Sequence, residues 1–354
     1  MRFKTPLYRL LFLLLLSYGF VYFSYKWLDP TQVNTDFIQY YGMVQHPLDF
    51  HVAPSPWVYR QLTAIIAHVF WRLHIYYPND IQFHNAAYDQ RIFFAVLFTN
   101  YLAVVAAAWL STIVVDRELR ARHTVSNIFP LFAGMLCFFS FLLQTTTITG
   151  QADGLSWTLI ALCYLFYERR QLVPFCAVVL ISILQREILP LVLLVFTAIP
   201  LLTNRGLTGK ERKFFTIASA WSAASFALYM VVRHIIHAPG NEYQSDPHAM
   251  LHELLHFRPG KAYLMQVGMG QNLLLILFIL WFMRWRRFRE ASQNILTIPV
   301  ACVMLILLSI AANISNNATR MIAMLTPIVA IEITRALLRL EGREGEPSPA
   351  LTAR

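Results

Sequence analysis

An all-α, polytopic transmembrane helical bundle of about ten spans is the architecture this sequence predicts, and three observations carry it. Of 354 residues, 57% are hydrophobic and only 14% charged, with a mean hydropathy of +0.50; a soluble domain carries nearer a quarter charged residues. Apolar runs recur along the whole chain. The segments between them alternate between crowded and sparse in basic residues, as the loops of a threaded chain do. The reading is a single integral membrane domain over 1–338, followed by a cytoplasmic tail, 339–354, expected to be unstructured.

The N-terminal MRFKTPLYRLLFLLLLSYGFVYFSYKW opens like a signal peptide but offers no small-x-small cleavage site, so it reads as an uncleaved first span. Candidate spans are 7–25, 92–115, 127–144, 154–167, 172–185, 188–203, 214–232, 267–283, 295–312 and 321–338. With the N-terminus inside, the segments RELRAR, ERR, NRGLTGKERK, RWRRFR and the tail are cytoplasmic, and twenty Lys and Arg lie inside against nine outside. Both termini are then cytoplasmic, and the inner (plasma) membrane is the expected location. The net charge of +10 reports this orientation, which makes the lipid bilayer a partner and excludes nucleic acid. Cys137, Cys163, Cys176 and Cys302 fall inside apolar runs with no CxxC pair, so neither a disulfide framework nor a thiolate metal site is expected.

Histidine shows the opposite bias, with ten of eleven on the outer side. The outer side also holds the two longest loops, 26–91 and 233–266, and loops of that length in a compact protein are usually functional. In DPTQVNTDFIQYYGMV, Asp36 and Tyr40 are four apart and share a helix face just above the membrane. Asp36 reads as a chemical group or as a helix cap after NT. The segment 58–77, VYRQLTAIIAHVFWRLHIYY, has apolar positions at threes and fours, broken by Arg60, His68, Arg72 and His74. It is too polar for a span and reads as an amphipathic helix in the interface.

GQADGLSW (150–157) places Gln151 and Asp153 at the outer membrane edge, with Gly150 and Gly154 permitting a tight turn. The following hairpin, LVPFCAVVLISILQREILPLVLLVFTAIPLL, has 31 residues, whereas two full spans need about 40. Either the bilayer thins here or the turn, QRE, sits below the outer surface. Arg186 and Glu187 either face a cavity, pair with each other, or snorkel, because charge against lipid is costly. Arg320 ends the last outer loop, NISNNATR, as an interfacial anchor or as a site residue. Carboxylates at Asp36 and Asp153 beside Arg60, Arg186 and Arg320 suit a reaction in which a base activates a hydroxyl while cations hold a departing phosphate. Arginine's fork of donors matches phosphate in two-point binding.

These features, in this order, resemble the GT-C superfamily of polytopic glycosyltransferases, which take sugars from polyprenyl-phosphate carriers. NTDFIQYY is similar to the family's acidic stretch in the first outer loop, and the resemblance implies that Asp36 is the catalytic base. GQADGLSWTLIALCYLF looks like the Gly-Gln-x-Asn/Asp stretch of the polyprenol-phosphate mannosyltransferase-like members, QREILPLVL like their basic-to-apolar stretch, and NNATRMIAMLTPIV like their late Arg-to-Pro segment. The implied substrate-binding set is Tyr40, Arg60, Gln151, Asp153, Arg186, Glu187 and Arg320. The implied partners are a polyprenyl-phosphate-linked sugar and a glycan, lipid or protein acceptor. Many members carry paired acids in the first loop, where Asp36 stands alone. No cofactor is therefore expected as a requirement, although a divalent cation is compatible. A lipid or solute transporter or flippase of similar topology is the alternative.

A third reading starts from HELLH at 252–256. Two His four apart with a Glu beside the first is the zinc-peptidase spacing. Catalytic zinc needs a third protein ligand, and Pro259 and Gly260 end the helix before one appears. His248 continues the stripe, but the outer two of three His at i, i+4 and i+8 stand about 12 Å apart; His234 or His237 would have to serve. The plain alternative is an interfacial helix whose Met250, Leu251, Leu254 and Leu255 dip into the membrane, so His252 and His256 are weak metal candidates and zinc is not expected.

Overall fold

The computed structural model describes residues 4–27, 29, 35–75, 87–121, 128–148, 153–204, 206–236, 238, 240, 247–258, 260, 294, 296–312 and 318–344. The regular structure among these residues is helical, without a strand. In chain order the helices are α1 (Lys4–Trp27), α2 (Thr35–Gln45), α3 (Gln61–Arg72), α4 (Gln90–Ala121), α5 (Ile128–Ile148), α6 (Asp153–Glu168) and α7 (Leu172–Ser182). They continue with α8 (Leu189–Thr203), α9 (Gly209–Ile236), α10 (Pro247–His256), α11 (Thr297–Ala311), α12 (Ala318–Ala323) and α13 (Thr326–Glu344).

Among the described residues, three helices are long and apolar enough to cross a membrane, over Pro6–Lys26, Gln90–Arg120 and Gly209–Ile236. Shorter apolar helices cover Ile128–Phe138, Leu172–Ser182, Leu189–Thr203 and Thr297–Ala311. The expected span 267–283 lies outside the described residues. The expected span 321–338 is interrupted: α12 ends at Ala323 and α13 restarts at Thr326. Pro327 explains the restart, because proline has no N–H to donate and fits the first turn of a helix. The last helix also runs on to Glu344, beyond the expected domain edge at 338.

α4 is the central helix, packed against α1, α3, α5, α6 and α13. Ile92, Phe93, Phe94, Ala95, Val96 and Leu97 are all buried, so no side of the helix is open over 92–97. A helix apolar all round belongs in the middle of a bundle. The outer helices contrast with it. α1 exposes Leu7, Tyr8, Leu11, Phe12 and Leu15, while α9 exposes Leu228, Met230, Val231 and Ile235. Stripes of that size are unfavourable against water and comfortable against lipid.

The segment expected as one interfacial helix over 58–77 begins with a 3-10 turn at Trp57–Tyr59 and becomes α3 only at Gln61. Its polar interruptions fall at the ends and on one side, and Gln61, Thr63, Ala64 and Ala67 are buried against the protein. His74, at φ 56°, takes the left-handed conformation that stops the helix. α9 starts on a capping box. Thr208 Oγ1 donates to Glu211 Oε2 at 2.8 Å, and Glu211 N donates back to Thr208 Oγ1 at 3.3 Å.

At one end of α6 the helices are tied by a single guanidinium. Arg335 on α13 reaches Glu118 of α4 through Nε at 2.8 Å, Glu168 of α6 through Nη2 at 2.8 Å, and Glu332 through Nη1 at 2.9 Å. Tyr164 donates to Glu332, and Asn294 Nδ2 donates to the Tyr164 hydroxyl at 2.8 Å. Beside this knot, Arg9 of α1 pairs with Asp116 of α4 at 2.8 Å. The opposite end of α6 begins with Asp153 and carries the second cluster of charge.

Candidate functional site

Asp36 sits in the first turn of α2, where the helix dipole favours a carboxylate. It is inside the helix and so is not the cap. Its Oδ1 accepts a hydrogen bond from Trp57 Nε1 at 3.2 Å. Its Oδ2 pairs with Arg320 Nη1 at 2.6 Å, across 284 residues of chain. Arg320 also pairs through Nε with Asp153 Oδ2, so one guanidinium bridges two acids on separate helices. Asp153 Oδ1 in turn meets Arg186 Nη1 at 3.0 Å. Arg186 Nη1 also lies 3.6 Å from Met324 Sδ, in the break between α12 and α13.

Glu187 does not pair with its neighbour Arg186. It takes Arg60 in a two-point contact, Nη2 to Oε1 at 2.8 Å and Nε to Oε2 at 3.4 Å. The turn bearing Arg186 and Glu187 is pinned to α3, with Leu62 N donating to the Leu184 carbonyl at 2.9 Å and Thr63 Oγ1 to Gln185 Oε1 at 2.9 Å. α7 has 11 residues, about 16 Å at 1.5 Å per residue, shorter than the roughly 30 Å hydrocarbon core of a typical bilayer. The charged residues avoid lipid by facing one another. Among the described residues the cluster holds three guanidiniums and three carboxylates.

Tyr40, one helical turn from Asp36, is 1% exposed. Its hydroxyl interacts electrostatically with Arg60, Asp36, Arg320 and Arg186, Arg60 most strongly. It makes no hydrogen bond to a described residue. Burial pushes its pKa up, so it stays protonated and available as a donor.

The structure thus gathers seven of the expected residues at one place: Asp36, Tyr40, Arg60, Asp153, Arg186, Glu187 and Arg320. Gln151 lies outside the described residues. His252 and His256 are on α10, which packs against α11. Their rings stack at 4.2 Å and 21°, and His256 Nδ1 is 2.9 Å from the His252 carbonyl, a contact in which the nitrogen donates. Among the described residues no group of three or more His, Cys, Asp or Glu is arranged to hold a metal ion.

Sequence reasoning missed Trp57 as the donor to Asp36. The only available signal was a tryptophan following a proline in a polar loop. It also misread Gly154. That glycine is helical, and a Cβ there would stand 2.6 Å from the Asn100 carbonyl oxygen of α4. Gly154 N donates to Asn100 Oδ1 at 3.2 Å, so bare backbone lets α6 approach α4 and sets Asp153 beside Arg320. Gly154→Ala is expected to cost about 1–3 kcal/mol of stability by overpacking. A thermal unfolding midpoint equal to the parent's would refute that role.

The chain matches no family model, no curated protein and no solved structure.

Proposed function

We propose that this chain is a membrane-embedded glycosyltransferase. It moves a sugar from a polyprenyl-phosphate carrier to an acceptor hydroxyl at the outer face of the inner membrane, with inversion at the anomeric carbon. The observation that carries the reading is Asp36, an acid of the first outer loop, held against Arg320 and through Asp153 to Arg186. A ten-span threading and the twenty-to-nine inside bias of basic residues support an outer location for this cluster. The order of the motifs resembles GT-C enzymes in the same positions.

In this chemistry the Asp36 carboxylate takes the acceptor's proton. The acceptor oxygen forms a bond to the anomeric carbon while the bond from that carbon to the phosphate oxygen breaks, and the phosphate leaves with the electron pair. A single displacement inverts the carbon. Trp57 and Arg320 hold Asp36 ionised and aimed, and guanidiniums stabilise charge growing on the phosphate. The lipid tail lies sideways between helices, which accounts for charge at bilayer depth.

A panel of radiolabelled polyprenyl-phosphate sugars, offered to the purified protein in lipid nanodiscs, tests the reading. Transfer from at least one donor is expected, and no transfer from any would sink it. A transporter or flippase is the second reading, favoured by charged knots at both ends of α6. Donor movement across proteoliposomes without hydrolysis or transfer would select it. A zinc peptidase built on HELLH would instead reveal itself by bound zinc and proteolysis.

A further inference from the structure

Arg60 is an odd residue for its place. It occupies the N-cap of α3 with no side-chain capping bond, where the helix's positive end disfavours a cation and favours an anion. The anion present is Glu187. Its two oxygens fill the two-point contact on Arg60. The arginine side chain is 4% exposed and the glutamate 18%, so the glutamate is the partner with room to leave. The buried Tyr40 hydroxyl, which feels the charge of Arg60, makes no hydrogen bond among the described residues. A buried donor left unmatched is costly. A carboxylate has two oxygens and both are used; a phosphate has a third.

We infer that Glu187 is a resident stand-in for a phosphate group, and that a phosphate ester binds by displacing it from Arg60 and accepting a further hydrogen bond from Tyr40. Arg320, already shared between Asp36 and Asp153, holds the base rather than the ligand. This inference rests on the transfer reading only in taking the ester to be a lipid headgroup; the binding geometry stands without it. At rest the site is closed by its own side chain. Ligand phosphate opens it, and Glu187, once released, is free to swing toward solvent.

The test uses the full chain in nanodiscs, with farnesyl phosphate, inorganic phosphate and oleate as probes. Glu187→Gln removes the competing charge and keeps the shape, so farnesyl phosphate is expected to bind about tenfold more tightly. Tyr40→Phe is expected to weaken that binding about tenfold while leaving oleate unchanged, since a carboxylate does not reach the hydroxyl. Glu187→Gln leaves Arg60 without its carboxylate and lowers the unfolding temperature; added farnesyl phosphate should restore it by a larger shift than in the parent. Tyr40→Phe deletes an unmatched hydroxyl and should unfold no earlier than the parent. Tightening toward inorganic phosphate as well would support the site with free phosphate as a source. Tightening toward farnesyl phosphate alone would support the headgroup. Unchanged affinity in Glu187→Gln, or equal weakening toward both probes in Tyr40→Phe, would overturn the inference. A parent that transfers sugar while both variants bind as it does leaves the transfer reading standing alone. A parent that transfers nothing yet shows these shifts does the reverse.

Discussion

Asp36→Asn is expected to lower sugar transfer by about 10²–10⁴-fold, the usual contribution of a positioned general base. The amide cannot take a proton from the acceptor. It can still accept the Trp57 hydrogen bond through its oxygen, and Arg320 keeps Asp153 as a partner, so the loss of fold should be small. Binding of a polyprenyl phosphate should survive, because Arg60 and Tyr40 are untouched. Asp36→Glu restores the charge but moves it by a methylene. An intermediate rate is expected there, since misplacing a reacting group by about 1 Å can cost 10²-fold. Single-turnover transfer with a labelled donor, beside a thermal unfolding curve, measures both effects. Transfer by Asp36→Asn at the parent's rate would remove Asp36 from the chemistry. Equal loss in a variant that no longer folds would remove the prediction that the amide is tolerated.

Much of this site could be read in the sequence because each of its residues breaks a local rule. Arg60 interrupts an apolar helix, Arg186 and Glu187 sit in a hairpin too short to cross twice, and Asp153 and Arg320 stand at the edges of apolar runs. A charge with no local reason to be there implies a partner elsewhere. Local patterns do not say which partner. Glu187 finds Arg60 rather than Arg186, and Arg320 reaches back to Asp36, because those pairings depend on how helices pack. Helix existence was similarly legible from long apolar runs, as at α4 and α9. The division of the last span into α12 and α13 turns on Pro327, a single residue inside an otherwise continuous apolar run. HELLH shows the converse failure. Spacing alone puts two imidazoles on one face but is silent on the ring orientations, and the rings stack.

Arg335 is a residue whose work its place in the sequence does not show. Read along the sequence it is one more basic group near the cytoplasmic tail. In the fold it is buried, and its guanidinium is shared among Glu118, Glu168 and Glu332, joining α4, α6 and α13. Arg335→Met fills a similar volume and removes the cation these three acids share. Loss of one partner from a buried ionic set costs about 3–5 kcal/mol, a large share of the 5–15 kcal/mol typical of whole domains. Glu332 keeps Tyr164 and Asn294 as donors, so Glu168 should bear a large part of the penalty. Arg335→Lys keeps the charge but replaces a planar three-armed donor with a point, and should fall between. Adding Glu168→Gln to Arg335→Met removes one of the stranded charges and should recover part of the loss, a coupling that independent sites would not show. α6 is 16 residues long, about 24 Å, and carries Glu168 at one end and Asp153 at the other. Loosening Glu168 should therefore also raise hydrogen exchange around Asp153 and lower transfer, although no substrate touches Arg335. An Arg335→Met variant as stable as the parent would show that the three acids draw their compensation from other groups and that the guanidinium is dispensable.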